Sequence, residues 1–150
     1  MTGIPDGYYA TPDPDNPDTM TYWRARTGHL GHWPAKAWYG PARLLKRDAP
    51  TDRDAKIAWM RAWNDSYRSW LQRVTDTVAA DPQTCRAVFA ALAIRCCDCG
   101  RALTDAKSKT LGVGPECRRG YDEAWLAATL TPAIAEAHAA QTARQTGAST

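Results

Sequence analysis

The chain has 150 residues, 44% hydrophobic and 23% charged, which is room for one domain, or two small ones, of ordinary globular composition. Its net charge of +3 permits nucleic-acid binding without arguing for it, because basic footprints usually run stronger. No run of about 18 apolar residues predicts a membrane span, and no basic segment followed by an apolar stretch predicts a signal peptide.

Residues 1 to 50 read as a small unit of β-strands rich in Trp and Tyr. Tyr8-Tyr9-Ala10 suits a short strand, and Thr11 to Met20, with its prolines and aspartates, suits a loop. Thr21 to Arg26 carries aromatic strand formers. Gly28 to Gly31 is expected as a turn, with Trp33 or Trp38-Tyr39 on the returning strand. Gly40-Pro41 should break that strand, and Ala42 to Leu45 could add another.

Residues 51 to 95 read as amphipathic helices. Thr51 with Asp54 resembles a capping box opening a long helix to residue 80. Ile57, Met60, Trp63, Tyr67, Trp70, Leu71, Val74 and Val78 recur at spacings of three and four, which is one apolar face. That stripe reads as core packing; a base-stacking platform needs exposed rings. Asp81-Pro82 signals the next helix, with Cys85, Val88, Phe89 and Leu92 as its buried stripe.

Residues 96 to 141 hold the most informative segment, Cys96-Cys97-Asp98-Cys99-Gly100-Arg101, followed by Gly112-Val113-Gly114-Pro115-Glu116-Cys117. Cys96 and Cys99 have the C-x-x-C spacing that lets two sulfurs converge on one ion, and seventeen residues separate Cys99 from Cys117. Three clustered thiols among five cysteines suit a metal held in a reducing cytoplasm. Zn²⁺ is favoured because thiolates select soft or borderline metals; an iron–sulfur cluster or a redox dithiol is the alternative. Pro115 is expected to open a helix bearing Cys117 in its first turn, where the dipole favours thiolate. Thr131-Pro132 signals a last helix, and residues 142 to 150 a frayed tail.

Four ligands would close a zinc site, and the fourth is open. Cys97 is adjacent to Cys96, where neighbouring side chains diverge. Cys85 lies a helix length away, and His29 or His32 would have to reach across from the N-terminal unit. His138 ranks below these, and Asp98, Asp105, Asp122 or a water completes the choice.

The run from Cys96 to Asp105, with Ser108 and Gly112 to Cys117, resembles a short cysteine-bearing, zinc-finger-like domain of unknown function found in actinobacterial proteins and in phages and mobile elements. The resemblance covers roughly residues 94 to 120. It implies a zinc-binding module of the kind attached to nucleic-acid-handling proteins. The additional Cys97 departs from the single cysteine pair usual there. The N-terminal Trp-rich segment is similar to the front half of small proteins from the same sources.

No catalytic constellation stands out, and Gly112-x-Gly114 is too short for a phosphate loop. Arg101, Lys107, Lys109, Arg118 and Arg119 surround the cysteines and could contact phosphates. Two binding functions follow: a zinc protein engaging nucleic acid or the machinery acting on it, or a protein adaptor that uses Trp33 and Trp38 as anchors while zinc holds the fold. An enzyme with an open metal site is a third. The expected architecture is α+β: a small N-terminal β-hairpin unit, a long amphipathic helix, and a helical C-terminal module of treble-clef-like or ribbon-like type.

Overall fold

A computed structural model describes residues 3–148. The architecture is α+β. Three antiparallel strands, β1 (Gly7–Pro12), β2 (Met20–Arg26) and β3 (His29–His32), form a sheet in sequence order. Four α-helices follow: α1 (Arg53–Ala80), α2 (Pro82–Ala93), α3 (Ala106–Leu111) and α4 (Glu123–Ala148).

The hairpin between β2 and β3 turns at Thr27-Gly28, and β3 begins at His29, inside the stretch expected as a turn. Both turn residues have positive φ, +50° and +81°, as the tight two-residue hairpin turn demands. Thr-Gly is not one of its usual sequences, so the signal was weak. The Asp6 carboxylate secures the turn by accepting from the Thr27 N–H at 2.9 Å. Neither Trp33 nor Trp38-Tyr39 lies in a strand, and Ala42 to Leu45 is irregular.

β1 is buried on both faces, and this divides the interior in two. Tyr9 pairs with Trp23 on one face, Ala10 with Tyr22 on the other. On the first face, Tyr9, Trp23 and Ala25 pack against Trp70, Val74 and Val78 of α1 and Cys85 of α2. On the second, Tyr8 and Ala10 pack with Phe89 of α2, Leu126, Leu130 and Ile134 of α4, and Leu103, Leu111 and Val113. β1 and α2 therefore place buried residues in both cores.

Asp52, not Thr51, caps α1, accepting from the Ala55 N–H at 2.9 Å. The helix is 28 residues long, about 42 Å at the standard rise. Its apolar stripe is continuous in sequence but only its C-terminal half is covered: Trp70, Val74 and Val78 are buried, whereas Ile57 and Met60 are 38% and 45% exposed. Asp81 caps α2 as expected, through the Thr84 N–H. The expected break at Thr131-Pro132 does not occur, because Pro132 lies inside α4. Leu126, Leu130, Ile134 and Ala137 form one buried stripe across it, so packing carries the helix past the proline. The Thr131 hydroxyl instead donates to the Thr110 carbonyl of α3 at 3.0 Å. The tail expected to fray from Thr142 is helical to Ala148, and residues 149–150 lie outside the described residues.

Trp70→Ala removes a ring that is 1% exposed and should cost about 3–5 kcal/mol in urea denaturation. Ile57→Ala, on the uncovered half of the same helix, should stay within about 0.5 kcal/mol of the parent.

Candidate metal centre

The backbone builds the cysteine site before any ion is considered. α2 ends at Ile94, which takes a left-handed conformation with φ +54° and turns the chain back on itself. Arg95 and Ala102 then bridge in antiparallel fashion. Between them the Cys96 N–H donates to the Arg101 carbonyl and the Gly100 N–H to the Cys96 carbonyl, each at 2.8 Å. Gly100 has φ +79°, and a Cβ there would stand 2.7 Å from the Tyr8 ring, so only glycine fits. The fold of this turn aims the amides of Asp98 and Cys99 at the Cys96 sulfur.

The third cysteine arrives on a separate arm. Asp105 caps the short α3 by accepting from the Ser108 N–H at 2.9 Å, and Gly112, with φ +77°, ends it. The chain then passes Val113 and Gly114 to Cys117, whose expected α-helix is replaced by a 3₁₀ turn, Cys117–Gly120. Pro115 precedes that turn rather than opening a helix, so the macrodipole argument for a Cys117 thiolate fails. Arg118, expected on the basic rim, points inward instead. Its Nη1 donates to the buried Ser108 hydroxyl at 2.6 Å and to the Val113 carbonyl at 3.0 Å, lacing the arm to α3.

The sulfurs of Cys96, Cys99 and Cys117 lie within 4.8 Å of one another. A tetrahedral ion with zinc–sulfur bonds of about 2.3 Å separates its sulfurs by roughly 3.8 Å, so small rotations would close the three around one ion. The donor set is all sulfur, the choice of zinc or another thiophilic metal. The three cysteines could therefore hold a metal ion. Among the described residues no other cluster of cysteine, histidine or carboxylate side chains converges in this way.

Electrostatics differ between the arms. Burial pushes the Cys96 thiol up, but amides of Gly114, Cys99 and Asp98 aimed at its sulfur outweigh burial and hold it below the ordinary thiol range. Burial, then the neighbouring Cys96 and Cys99, push the Cys117 thiol up to about 12. The surroundings of Cys96 thus favour the thiolate that a metal requires, whereas Cys117 must give up a proton to join it.

The fourth-ligand candidates are placed elsewhere. Cys97 is fully buried and faces the Arg86 guanidinium; burial, partly opposed by Arg86, pushes its thiol up to about 11. Cys85 sits in the α1-side core, where burial raises it to about 11. His29 is exposed at the start of β3. His32 is stacked on Trp38 and Tyr39, with its Nδ1 accepting from the Tyr39 N–H and its Nε2 2.7 Å from the Tyr67 hydroxyl. Asp98 is bound by Arg86 and Tyr121, and Asp105 and Asp122 cap helices. His138 lies along α4 beside Lys109.

Of the remaining basic residues, Arg101 pairs with Glu116 at 3.3 Å and Lys107 with Glu123 at 3.0 Å, both at the surface, while Lys109 and Arg119 are exposed. Trp33 and Trp38 are half-buried and engaged within the chain. Trp33 packs edge-on to Phe89, 5.1 Å away, and Trp38 stacks with His32 and Tyr67 under the Arg43 guanidinium. Sequence reading missed Arg86. It is 7% exposed and bonds to Asp98 and the Tyr121 hydroxyl, joining α2, the knuckle and the start of α4's approach. A lone arginine on an apolar helix face was its only signal.

Residues 84–122, about a quarter of the chain, match a family of unknown function, DUF6011. That span runs from the first turn of α2 through the knuckle, α3 and Cys117 to the Arg86 partner Tyr121. Comparison with curated proteins and with solved structures returns no match. No helix among the described residues is long and apolar enough to cross a membrane.

Serine at Cys96, Cys99 or Cys117 should weaken zinc binding by more than the roughly 10–100-fold that loss of an outer-sphere partner costs. Alanine at Cys85 or Cys97 should leave the uptake of added zinc as in the parent chain, read by elemental analysis. Metal uptake near neutral pH should release protons, Cys117's among them, so affinity should rise with pH. Calorimetry in two buffers of different ionisation enthalpy measures the release.

Proposed function

We propose that this is a small zinc-binding protein that engages nucleic acid or the machinery acting on it. The observation that carries the metal part is the convergence of three thiols on a hydrogen-bonded knuckle. Zinc is the ion we assign, since an all-sulfur site without a redox partner suits it best. Its role there is to lock the Cys117 arm to the knuckle. Because β1 and α2 contribute to both cores, we read the chain as one integrated unit rather than as separate N-terminal, helical and zinc modules. The resemblance of the knuckle segment to phage and mobile-element sequences from actinobacteria supports the same setting, and we place the protein in a reducing cytoplasm, which keeps such thiols free.

The nucleic-acid part rests on exposed cations. Arg101, Lys107, Lys109 and Arg119 surround the cysteine site, and Arg53, Lys56, Arg61 and Arg68 line the exposed side of α1. Arg118 leaves that set, because it is spent inside the fold. A specific observation favours a second reading, the protein adaptor. The projecting half of α1 leaves Ile57 and Met60 uncovered. That surface, rather than Trp33 and Trp38, would be the anchor.

Fluorescence anisotropy on labelled single-stranded and duplex oligonucleotides separates the two. Binding should fall steeply between about 50 and 200 mM salt. Lys109→Ala and Arg119→Ala should each weaken it across sequences and lower the salt slope by about 1. Arg118→Ala should instead destabilise the fold. Absence of binding at about 50 mM salt overturns the nucleic-acid reading.

A further inference from the structure

Resting on the zinc reading above, we propose that the metal centre holds its ion through three thiolates only. Its fourth coordination position faces an open cleft and takes an exchangeable soft donor, one imidazole nitrogen or one thiol sulfur that belongs neither to this chain nor to a second copy of it.

The argument begins with the donors that this chain could have supplied. Cys97, Asp98, His32, Asp105 and Asp122 are each held by a different task. Cys97 turns away into the Arg86 network, and Asp98 is fixed by Arg86 and by the Tyr121 hydroxyl at 2.9 Å. His32 has both ring nitrogens engaged in the aromatic cluster. Asp105 and Asp122 are bound to the first amides of α3 and α4. Moving Asp98, Asp105 or Asp122 to the sulfurs would break an ion pair or a helix cap, and moving His32 would break its hydrogen bonds and ring stacking.

What the three cysteines do face is a cleft of about 260 Å³, with walls formed by Leu103, Ala102 and Pro115 and a rim formed by Arg101 and Glu116. Cys99 is exposed on it. The volume holds an imidazole ring or a short thiol, and the apolar walls suit either body.

Charge selects the class of ligand. A divalent ion with three thiolates carries one net negative charge. A neutral imidazole leaves that unchanged. A thiolate makes it two, in reach of the Arg101 guanidinium on the rim. A hard multidentate anion meets three soft sulfurs and has no second donor set to hold it. Glu116 is the one carboxylate on the rim. It is 75% exposed and paired with Arg101 at 3.3 Å, and it is not among the groups that converge with the three sulfurs.

Cobalt(II) substitution of the full, untagged chain tests this. Sulfur-to-cobalt charge-transfer intensity for three thiolates confirms the ligand set, and the visible d–d bands report the fourth position. Added imidazole, and separately 2-mercaptoethanol, should shift the d–d bands saturably at one equivalent of cobalt. The three-thiolate intensity should persist with imidazole and rise with the thiol. Glu116→Gln should leave the resting spectrum unchanged. A resting spectrum altered by Glu116→Gln places the carboxylate on the ion and overturns the proposal. So does a resting spectrum that depends on protein concentration, which places a donor from a second copy there, and so do bands that neither probe moves. Failure to bind cobalt at all is a different result, since it removes the zinc reading itself.

Discussion

The rest of the structure depends on the peptide of Cys97. Its N–H donates to the Gly112 carbonyl at 3.1 Å, and its carbonyl accepts from the Tyr8 N–H at 2.8 Å. One residue thus ties the knuckle to the strand shared by both cores and to the end of α3, from which the Cys117 arm departs. The approach is so close that a Cβ on Gly7 would lie 3.0 Å from the Cys97 carbonyl oxygen. In sequence Cys97 looks like a surplus ligand. In space it is the joint, and its thiol is buried because the backbone on either side of it is.

The joint is reinforced by a buried charge. Burial pulls the Arg86 guanidinium toward neutrality, but Cys97, Tyr121 and Tyr9 around it more than offset that and keep it charged. Asp98 is the ionic partner, and it lies between the two knuckle cysteines in sequence. An ion pair of this kind is weak evidence for net stability, because desolvating both groups consumes much of the attraction. Its effect here is geometric. It fixes the rotation of the Cys96–Cys99 turn about α2, so that Cys96 and Cys99 face the cleft while Cys97 and Asp98 face inward. Arg118 does the equivalent for the other arm. Two arginines that composition counts as surface charge are therefore what orients the three sulfurs.

Local chemistry made parts of this legible in sequence. The C-x-x-C-Gly turn, the Asp81-Pro82 helix start and the first strands depend on residues adjacent in the chain, and each is found where its signal lies. The failures share a cause. Thr51 and Asp52 are both competent caps, and only the path of the preceding chain selects Asp52. Pro132 carries a start signal that the Leu126–Ile134 stripe overrides by packing against α2. The spacing along α1 predicts core packing throughout, but periodicity shows which face is apolar, not whether anything covers it. Arg118 was assigned to the rim because its partner, Ser108, is ten residues away and becomes a neighbour only once α3 exists.

These placements bear on what a metal does for the fold. In the smallest zinc fingers the ion replaces a core, and binding free energy is folding free energy. Here Trp23 and Trp70 are fully buried in a core without any of the three ligand cysteines, and Phe89 in one that takes in Cys96 and borders Cys117 but is built mainly of aliphatic and aromatic side chains. The knuckle is closed by its own backbone bonds, and the Cys117 arm is held by Arg118 and by the 3₁₀ turn. An ion that enters such a site finds two of its three ligands already oriented and little chain left to order. Its stabilisation is then the mass-action term set by affinity and free metal, concentrated on the arm from Gly112 to Gly120. A site whose ligands the fold already positions can be open on one side. The same arrangement would leave an ion held by the three sulfurs accessible from the cleft.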